Sequence, residues 1–538
     1  MTVLAAALPE PGPPTGRETQ RLRWAALAKV SAVDIRLVRA WLGTPGGGLL
    51  LLILMTLLAR LAFASALGLG IDESYTVAAG RTFQLGYFDH PPMVWWMAWS
   101  AAHLAGTDAA IVVRLPFVLL FALTTWLMFR LTATMFGARA GFWAATLLNL
   151  SPVFGITAGT WVLPDGPLFA VLLGAVACLF AALPAQGRAA WGWWLGTGLC
   201  AGLALFSKYT AVLSIAGAIA FLLTQPSARS WLRRPHPYAA GLLALLVFSP
   251  VLAWNAGHGW ASLLFQGGRV GSGKLHPFGP LSTLAGEALV VLPWLWAPLV
   301  VLGLAALRRG PDDAGRWLLA CLAAPPILFF AAISLHSHVL FHWAAPGYLV
   351  LFPLLGEAVS RTVRDSRTVR LWLATTAVIA GTGMALVASE VRFDWLRHLG
   401  EDFALGNDPD LDAVDWTALR TDLQAQGLLG RPGLVVAATR WHDAGKIDYA
   451  LGGQATVICL GADPREYGLI ATVRNHAGAD AVIVAPRLTQ AQVLAQFGPS
   501  FDSIESLPAT SVLHAGRPAM RLPLFLGHGL HRPTDSPS

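Results

Sequence analysis

Charged side chains are scarce in this sequence. Lys and Arg number 37 and Asp and Glu 30 among 538 residues, so 12% of the chain is charged, about half of the roughly 25% usual in soluble domains. With 55% hydrophobic residues and a mean hydropathy of +0.58, that deficit excludes an ordinary soluble domain and points to a polytopic membrane protein. Cysteine is scarce too. Cys178, Cys200 and Cys321 fall in apolar stretches and Cys459 in the C-terminal region, so no two are placed as an obvious extracytoplasmic disulfide and all read as packing residues. Nucleotide chemistry is missing as well: GGRVGSGK at 267–274 lacks the preceding strand and the GK[ST] ending of a phosphate-binding loop. A net charge of +7 would suggest anionic partners in a soluble protein, but here the bases sit in particular loops, and topology explains them.

What the chain does have is apolar runs of the roughly 20 residues needed to cross a bilayer. They lie at 49–69, 109–130, 140–157, 164–183, 191–206, 210–224, 238–254, 285–307, 316–335, 338–359 and 371–389. These predict an α-helical membrane domain over 49–390 with eleven spans, within a range of about 11 to 13. Residues 1–48 carry Arg17, Arg21, Arg23, Lys29, Arg36 and Arg39 without a small-residue cleavage site behind a short apolar region. A removed signal peptide is therefore not expected, and the first span stays as an anchor.

Placing that basic segment in the cytoplasm aligns the alternate loops. Arg130 and Arg139, Arg188, Arg229 with Arg233 and Arg234, Arg308 with Arg309, and Arg361 through Arg370 then fall inside. The opposite loops carry Asp72, Glu73, Asp89 and His90, then Asp165, Lys208, the group His258, Arg269 and Lys274, and finally His336 and His338. After the last span, 391–538 holds strand-like runs LVVAAT (434–439), ATVICL (455–460) and AVIVAP (481–486) between helical or turn-rich stretches. That alternation predicts a small α/β domain, outside by the odd span count.

The first outer loop, 70–108, concentrates ionisable groups: an acidic pair in DESY, then LGYFDHPP about one helix later. Such groups beside lipid are costly and mark function by default. Asp89 and His90 start a corner forced by Pro91 and Pro92. Trp95, Trp96 and Trp99 follow with spacing suited to an interfacial helix. Arg81 reads as a helix-surface charge, and His336 and His338 as interfacial polar residues.

DESY, LGYFDHPP, SPVFGITAGTWVLPDGPLF, FSKYTAVL and SPVLAWNAGHGWASLLFQGGR together resemble the motifs of the polyprenyl-phosphate-sugar-dependent glycosyltransferases of the GT-C class. In pattern they are similar to bacterial members of glycosyltransferase family 39 and to the lipid A aminoarabinose transferases. The resemblance covers about residues 45 to 390. It implies a membrane enzyme of the bacterial inner membrane, with its site and C-terminal domain on the periplasmic side. A polyprenyl-phosphate-sugar would be the donor, and lipid A, lipopolysaccharide core or another envelope glycan or lipid the acceptor, with no nucleic acid involved.

Because a lipid phosphate is a good leaving group, transfer chiefly needs a base for the acceptor proton and cations for the departing phosphate. By position the resemblance makes Asp72 the base, with Glu73 assisting or binding acceptor; Asp72 also suits an N-cap of the helix starting near Glu73. Asp165 is the second family acid, and again a candidate N-cap with Pro167 early in its helix. Lys208 would grip the donor phosphate, or anchor at lipid phosphates, with Tyr209 beside it in SKYT. Tyr87, Asp89, His90 and His258 are further substrate-binding candidates, and Arg269 would meet the phosphate from a mobile Gly-rich loop. No cofactor is certain; a divalent metal stays open with Asp89 and His258 as candidates, although scattered groups are a weak metal signature. A protein O-glycosyltransferase is the alternative, and a non-enzymatic transporter of lipid-linked sugars the weaker one, because the span interiors hold almost no acids.

Overall fold

The computed structural model describes residues 43–269, 273–395, 413–514 and 516–532. The basic N-terminal residues up to Arg39, and Val270 to Ser272 of the Gly-rich loop, lie outside the described residues.

Sixteen helices make up the membrane part and the loop beside it, numbered from the first described one. They are α1 (Pro45–Ala66), α2 (Ile71–Ala79), α3 (Met93–Ala105), α4 (Ala110–Phe136), α5 (Ala138–Leu150), α6 (Asp165–Ala182), α7 (Gly187–Ser207) and α8 (Ala211–Thr224). There follow α9 (His236–Gly257), α10 (Ala261–Gly268), α11 (Gly279–Val291), α12 (Pro293–Arg309), α13 (Ala314–Ile333), α14 (Ala345–Leu349), α15 (Phe352–Thr362) and α16 (Arg367–Phe393). Seven of these, α1, α4, α6, α7, α9, α13 and α16, are long and apolar enough to cross a membrane, and the pair α11 and α12 makes an eighth if counted as one span. This is a multi-pass membrane protein.

The count differs from the eleven expected, and proline accounts for most of the difference. The run at 140–157 divides at Ser151 and Pro152 into α5 and a π-helical turn, Val153–Ala158. The run at 338–359 divides into the short α14 and α15, each with proline in its first turn. The run at 285–307 bends by 114° ahead of Pro293, where Leu292 takes φ +85°, since proline pushes its predecessor out of the helical region. The run at 210–224 is helical but short, at 14 residues.

The C-terminal unit contains α17 (Ala418–Ala425), β1 (Leu434–Ala438), α18 (Trp441–Leu451), β2 (Val457–Cys459), α19 (Tyr467–Ile470), β3 (Asp480–Val484), α20 (Gln490–Phe497), β4 (Ser503–His514) and β5 (Arg517–His528). The sheet order is β2-β1-β3-β5-β4; β1 pairs parallel with β2 and β3, and β5 antiparallel with β3 and β4. The expected strands are β1 to β3, and the long β4–β5 hairpin is an addition.

Side-chain alternation along the strands gives the sheet two different neighbours. Val435, Ala437, Ala481 and Ile483 pack on the side of Val493 and Phe497 from α20. Val436, Ala438, Val482 and Val484 belong to a core that also contains Leu69, Tyr75, Tyr87, Trp95 and Phe117 from the membrane part. The C-terminal unit and the first outer loop therefore share one core. Polar ties reinforce it: Lys446 Nζ donates to the Leu69 and Val414 carbonyls, both at 2.8 Å. Arg81 is no free surface charge, since it pairs with Asp108 at 2.9 Å and Asp448 at 2.8 Å.

Candidate active site

The acidic pair of the first loop separates at once. Glu73 is buried and Asp72 exposed. Helix α2 is capped at Gly70, whose N–H donates to Glu73 Oε2 at 3.0 Å, so the capping function considered for Asp72 belongs to its neighbour. Glu73 also accepts the Val162 N–H at 3.0 Å and takes Arg114 through both oxygens, at 2.8 and 2.5 Å. Its carboxylate is committed to the fold and has no capacity left for an acceptor. Asp72 is the second residue of α2, one turn before Tyr75 on the same helical face.

Asp165 begins α6 with Pro164 as the cap residue; rather than capping, its carboxylate receives Lys208 Nζ at 2.8 and 2.9 Å. Both side chains are buried, and the helix N-terminus adds a favourable field for the acid. Lys208 ends α7 in an extended conformation, which turns the ammonium inward to Asp165 instead of outward to lipid. Tyr209, next to it, hydrogen-bonds Ser262 at 2.7 Å.

Asp89 lies beneath the proline corner. Its Oδ1 accepts from Tyr75 Oη at 3.3 Å and its Oδ2 from Arg465 Nη1 at 3.2 Å, while Gln266 Nε2 donates to its backbone carbonyl. His90 is in the electrostatic field of Asp89, Lys208, Asp165 and Arg465, and burial pushes its imidazole down to about 4. Its Nδ1 is buried without a hydrogen-bond partner. His342, unremarked in the sequence, interacts with the same Asp165 and Lys208.

Arg269 follows α10. Its guanidinium lies 4.6 Å from the Trp343 ring centre and 5.4 Å from that of Phe265, and among the described residues it has no hydrogen-bond or ion-pair partner. Burial and the like charge of Arg465 hold its pKa below the usual arginine value. Arg465 itself comes from the C-terminal unit, just before α19. It stacks 3.6 Å from the Trp441 ring centre and lies 5.4 Å from Phe265. Its φ of +47° is a left-handed conformation costing about 1–2 kcal/mol. The next residue, Glu466, is fully buried, accepts from Gln84 Nε2 at 2.7 Å and from the Phe88 N–H at 2.8 Å, and burial pushes its carboxyl up to about 7.

The structure therefore brings together Asp89, His90, Asp165, Lys208 and Arg269, with Tyr209 and His342 alongside and Arg465 added. Other predicted residues have different surroundings. Tyr87 is fully buried, stacked 4.2 Å from Trp95, and supports the loop by donating to the Thr82 carbonyl at 3.2 Å. His258 is exposed, stacked on Trp254, with Nδ1 at 2.8 Å from the Trp254 carbonyl oxygen. Among the described residues no group of three or more His, Cys, Asp or Glu, with Asp89 or His258 or without them, is arranged to hold a metal. A cavity of about 400 Å³ lies elsewhere, at the carboxyl ends of β1 and β2, lined by Arg440, Trp441, His442 and Asp463 among others; it adjoins the cluster through Trp441.

This geometry can be set beside known proteins. Residues 89–254 match the family model described as dolichyl-phosphate-mannose-protein mannosyltransferase, the segment that holds Asp89, His90, Asp165 and Lys208. The structure is similar to that of ArnT from Cupriavidus metallidurans in the apo state, with a TM-score of 0.61, 16% identity, and coverage of 89% of this chain and 98% of that one. The fold is ArnT-like GT-C. ArnT bound to undecaprenyl phosphate gives a TM-score of 0.59 at the same identity and coverage. Among curated proteins, the lipid A galacturonosyltransferase RgtD of Rhizobium johnstonii is 25% identical over 323 residues, 57% of this chain and 64% of RgtD, so the chain spans just under two thirds of that relative's length. In the ArnT-like frame the C-terminal unit is part of the superposed fold, since nearly nine-tenths of the chain is covered. Arg465 and Glu466 lie beyond the family-model match.

Proposed function

We propose that this chain is a membrane glycosyltransferase that moves a sugar from a polyprenyl-phosphate donor to an envelope acceptor of the lipid A kind, working at the periplasmic side of the bacterial inner membrane. The observation that carries the reading is the cluster of buried Lys208 and Asp165 with half-buried His90 and Arg269. In it Arg269 has no polar partner among the described residues and Lys208 is fixed by Asp165 at 2.8 Å. A lipid phosphate laid against these two cations would be held as its negative charge grows on departure.

Asp72 is the proposed general base. Its exposure leaves it reachable by an incoming hydroxyl, and it precedes by one turn the tyrosine that meets Asp89. Lys208 and Arg269 would bind donor phosphate, His90 would orient substrate as a neutral hydrogen-bonding ring, and Asp165 would hold Lys208 in place. The bound lipid in the ArnT complex and the lipid A acceptor in the name of RgtD support the donor and acceptor classes.

The test is sugar transfer by the purified protein from a polyprenyl-phosphate donor to lipid A. Asp72→Asn should lower turnover about 100- to 10,000-fold, the usual contribution of a positioned base, measured on protein whose thermal unfolding transition shows it folded. Undiminished turnover in this variant would remove Asp72 from the mechanism.

A further inference from the structure

The guanidinium of Arg465 has one side in use and one idle. Nη1 reaches Asp89 at 3.2 Å, whereas Nε is buried without a hydrogen-bond partner and Nη2 has none among the described residues. Asp463 Oδ2 pairs with Nε by charge at 3.5 Å without forming a hydrogen bond, and its side chain is 54% exposed and free to swing away. Nε and Nη2 present two parallel donors along one edge of the planar group, the arrangement that fits a two-oxygen anion.

This edge is held still. The plane stacks on Trp441, Asp89 fixes one end, the backbone is in the left-handed region, and Glu466 ties the following residue to Gln84 and Phe88. Arg269 also lies against Phe265, at the same 5.4 Å from the ring centre. Two like charges beside one ring, each with unused donors, make a place suited to holding an anion. Lys208 and Arg269 suffice for the single phosphate linking sugar to lipid, which leaves the Arg465 edge in excess.

We propose that the Nε/Nη2 edge of Arg465 binds a second two-oxygen anion of the substrates, a carboxylate or phosphate borne by a saccharide, so that the C-terminal unit supplies a specificity residue to the membrane site. This rests on the function proposed above. A carboxylate would come from an acidic transferred sugar, and a phosphate from a phosphorylated acceptor.

The experiment uses the full-length protein in lipid nanodiscs with hexuronosyl and hexosyl polyprenyl phosphates, each against a phosphorylated and a dephosphorylated disaccharide glycolipid. Arg465→Met should lower kcat/KM at least tenfold more for one anionic substrate than for its neutral counterpart, within the range of a charge-assisted hydrogen bond. If the selectivity follows the donor, the anion is the sugar carboxylate; if it follows the acceptor, it is the phosphate. Arg465→Lys, which keeps the charge without the paired donors, should show the same selective loss and serves if the methionine variant does not fold. An equal loss on all four combinations would reduce Arg465 to a support for Asp89, and no loss would leave its edge without a ligand; either overturns the proposal. Calorimetric binding of hexuronate 1-phosphate against hexose 1-phosphate needs no turnover. If wild-type protein transfers nothing yet discriminates these two through Arg465, the proposed function fails and the anion site stands.

Discussion

Two arginine environments in this molecule invite comparison. Arg114, in α4, is 1% exposed and uses every donor: Nε and Nη2 on Glu73, Nη1 on the Ala64 and Leu67 carbonyls, and Nη2 also on the Gly68 carbonyl. Arg269 and Arg465 are also drawn out of water, but onto aromatic rings, with donors left over. A guanidinium costs free energy to bury unless its hydrogen bonds are replaced. The saturated one closes off the end of α1 and starts α2; the unsaturated ones have donors to spare, which is what the proposed binding of substrate anions draws on. The difference separates a structural cation from the proposed binding cations without reference to motif.

The comparison can be broken by mutation. The largest effect is expected at the saturated site: Glu73→Ala leaves Arg114 buried without its acid and should lower folding stability by about 3–5 kcal/mol, read as a large fall in thermal midpoint or loss of the folded protein on purification. Arg269→Met should shift stability by less than about 1 kcal/mol, since its ring contacts are worth roughly that at most when half exposed, while donor affinity falls. Equal destabilisation by the two changes would erase the distinction.

Lys208 and Asp165 test an intermediate case, a buried pair with a proposed binding duty. Lys208→Met alone strands a buried carboxylate and should be destabilising by several kcal/mol. The double change Lys208→Met with Asp165→Asn should recover most of the stability in thermal unfolding and none of the transfer activity. Recovery of both would make the pair purely structural.

The smallest effect is a pH slope at the joint between the two parts. The Glu466 carboxyl, raised from 4.5 to about 7 by burial, binds its proton more tightly folded than unfolded. Its contribution is complete below about pH 4.5 and lost as pH rises through about 7. Glu466→Gln should therefore flatten the decline in thermal midpoint between about pH 4.5 and 7, with the difference between variant and wild type growing across that window and levelling off above it. His90 works the other way: with its pKa lowered to about 4, wild-type stability drops as pH falls below about 6.5, and the glutamine variant keeps that arm.

Much of the architecture was legible because it depends on composition. The apolar runs mark the helices, and the β-branched segments at 434–439, 455–460 and 481–486 mark the parallel strands. The β4–β5 hairpin was hidden by Pro508, Pro518 and Pro523 and by charges that blur strand alternation. At the site, residue types were legible and partnerships were not. Nothing local tells that Glu73, and not Asp72, is the buried acid, since both follow the same turn and only the arrival of Arg114, 41 positions away, decides it. Arg465 carried one faint signal: DPRE at 463–466 crowds charges just past a strand end, where α/β sheets place ligands.

Gly445 carries the same lesson to a spot with no polar chemistry at all. A methyl group there would come within 2.6 Å of the Tyr75 Cα, so α18 and α2 touch almost backbone to backbone. Gly445→Ala would act as a shim, prying the hydroxyl of Tyr75 off Asp89 and slowing the proposed sugar transfer from a position outside the candidate site.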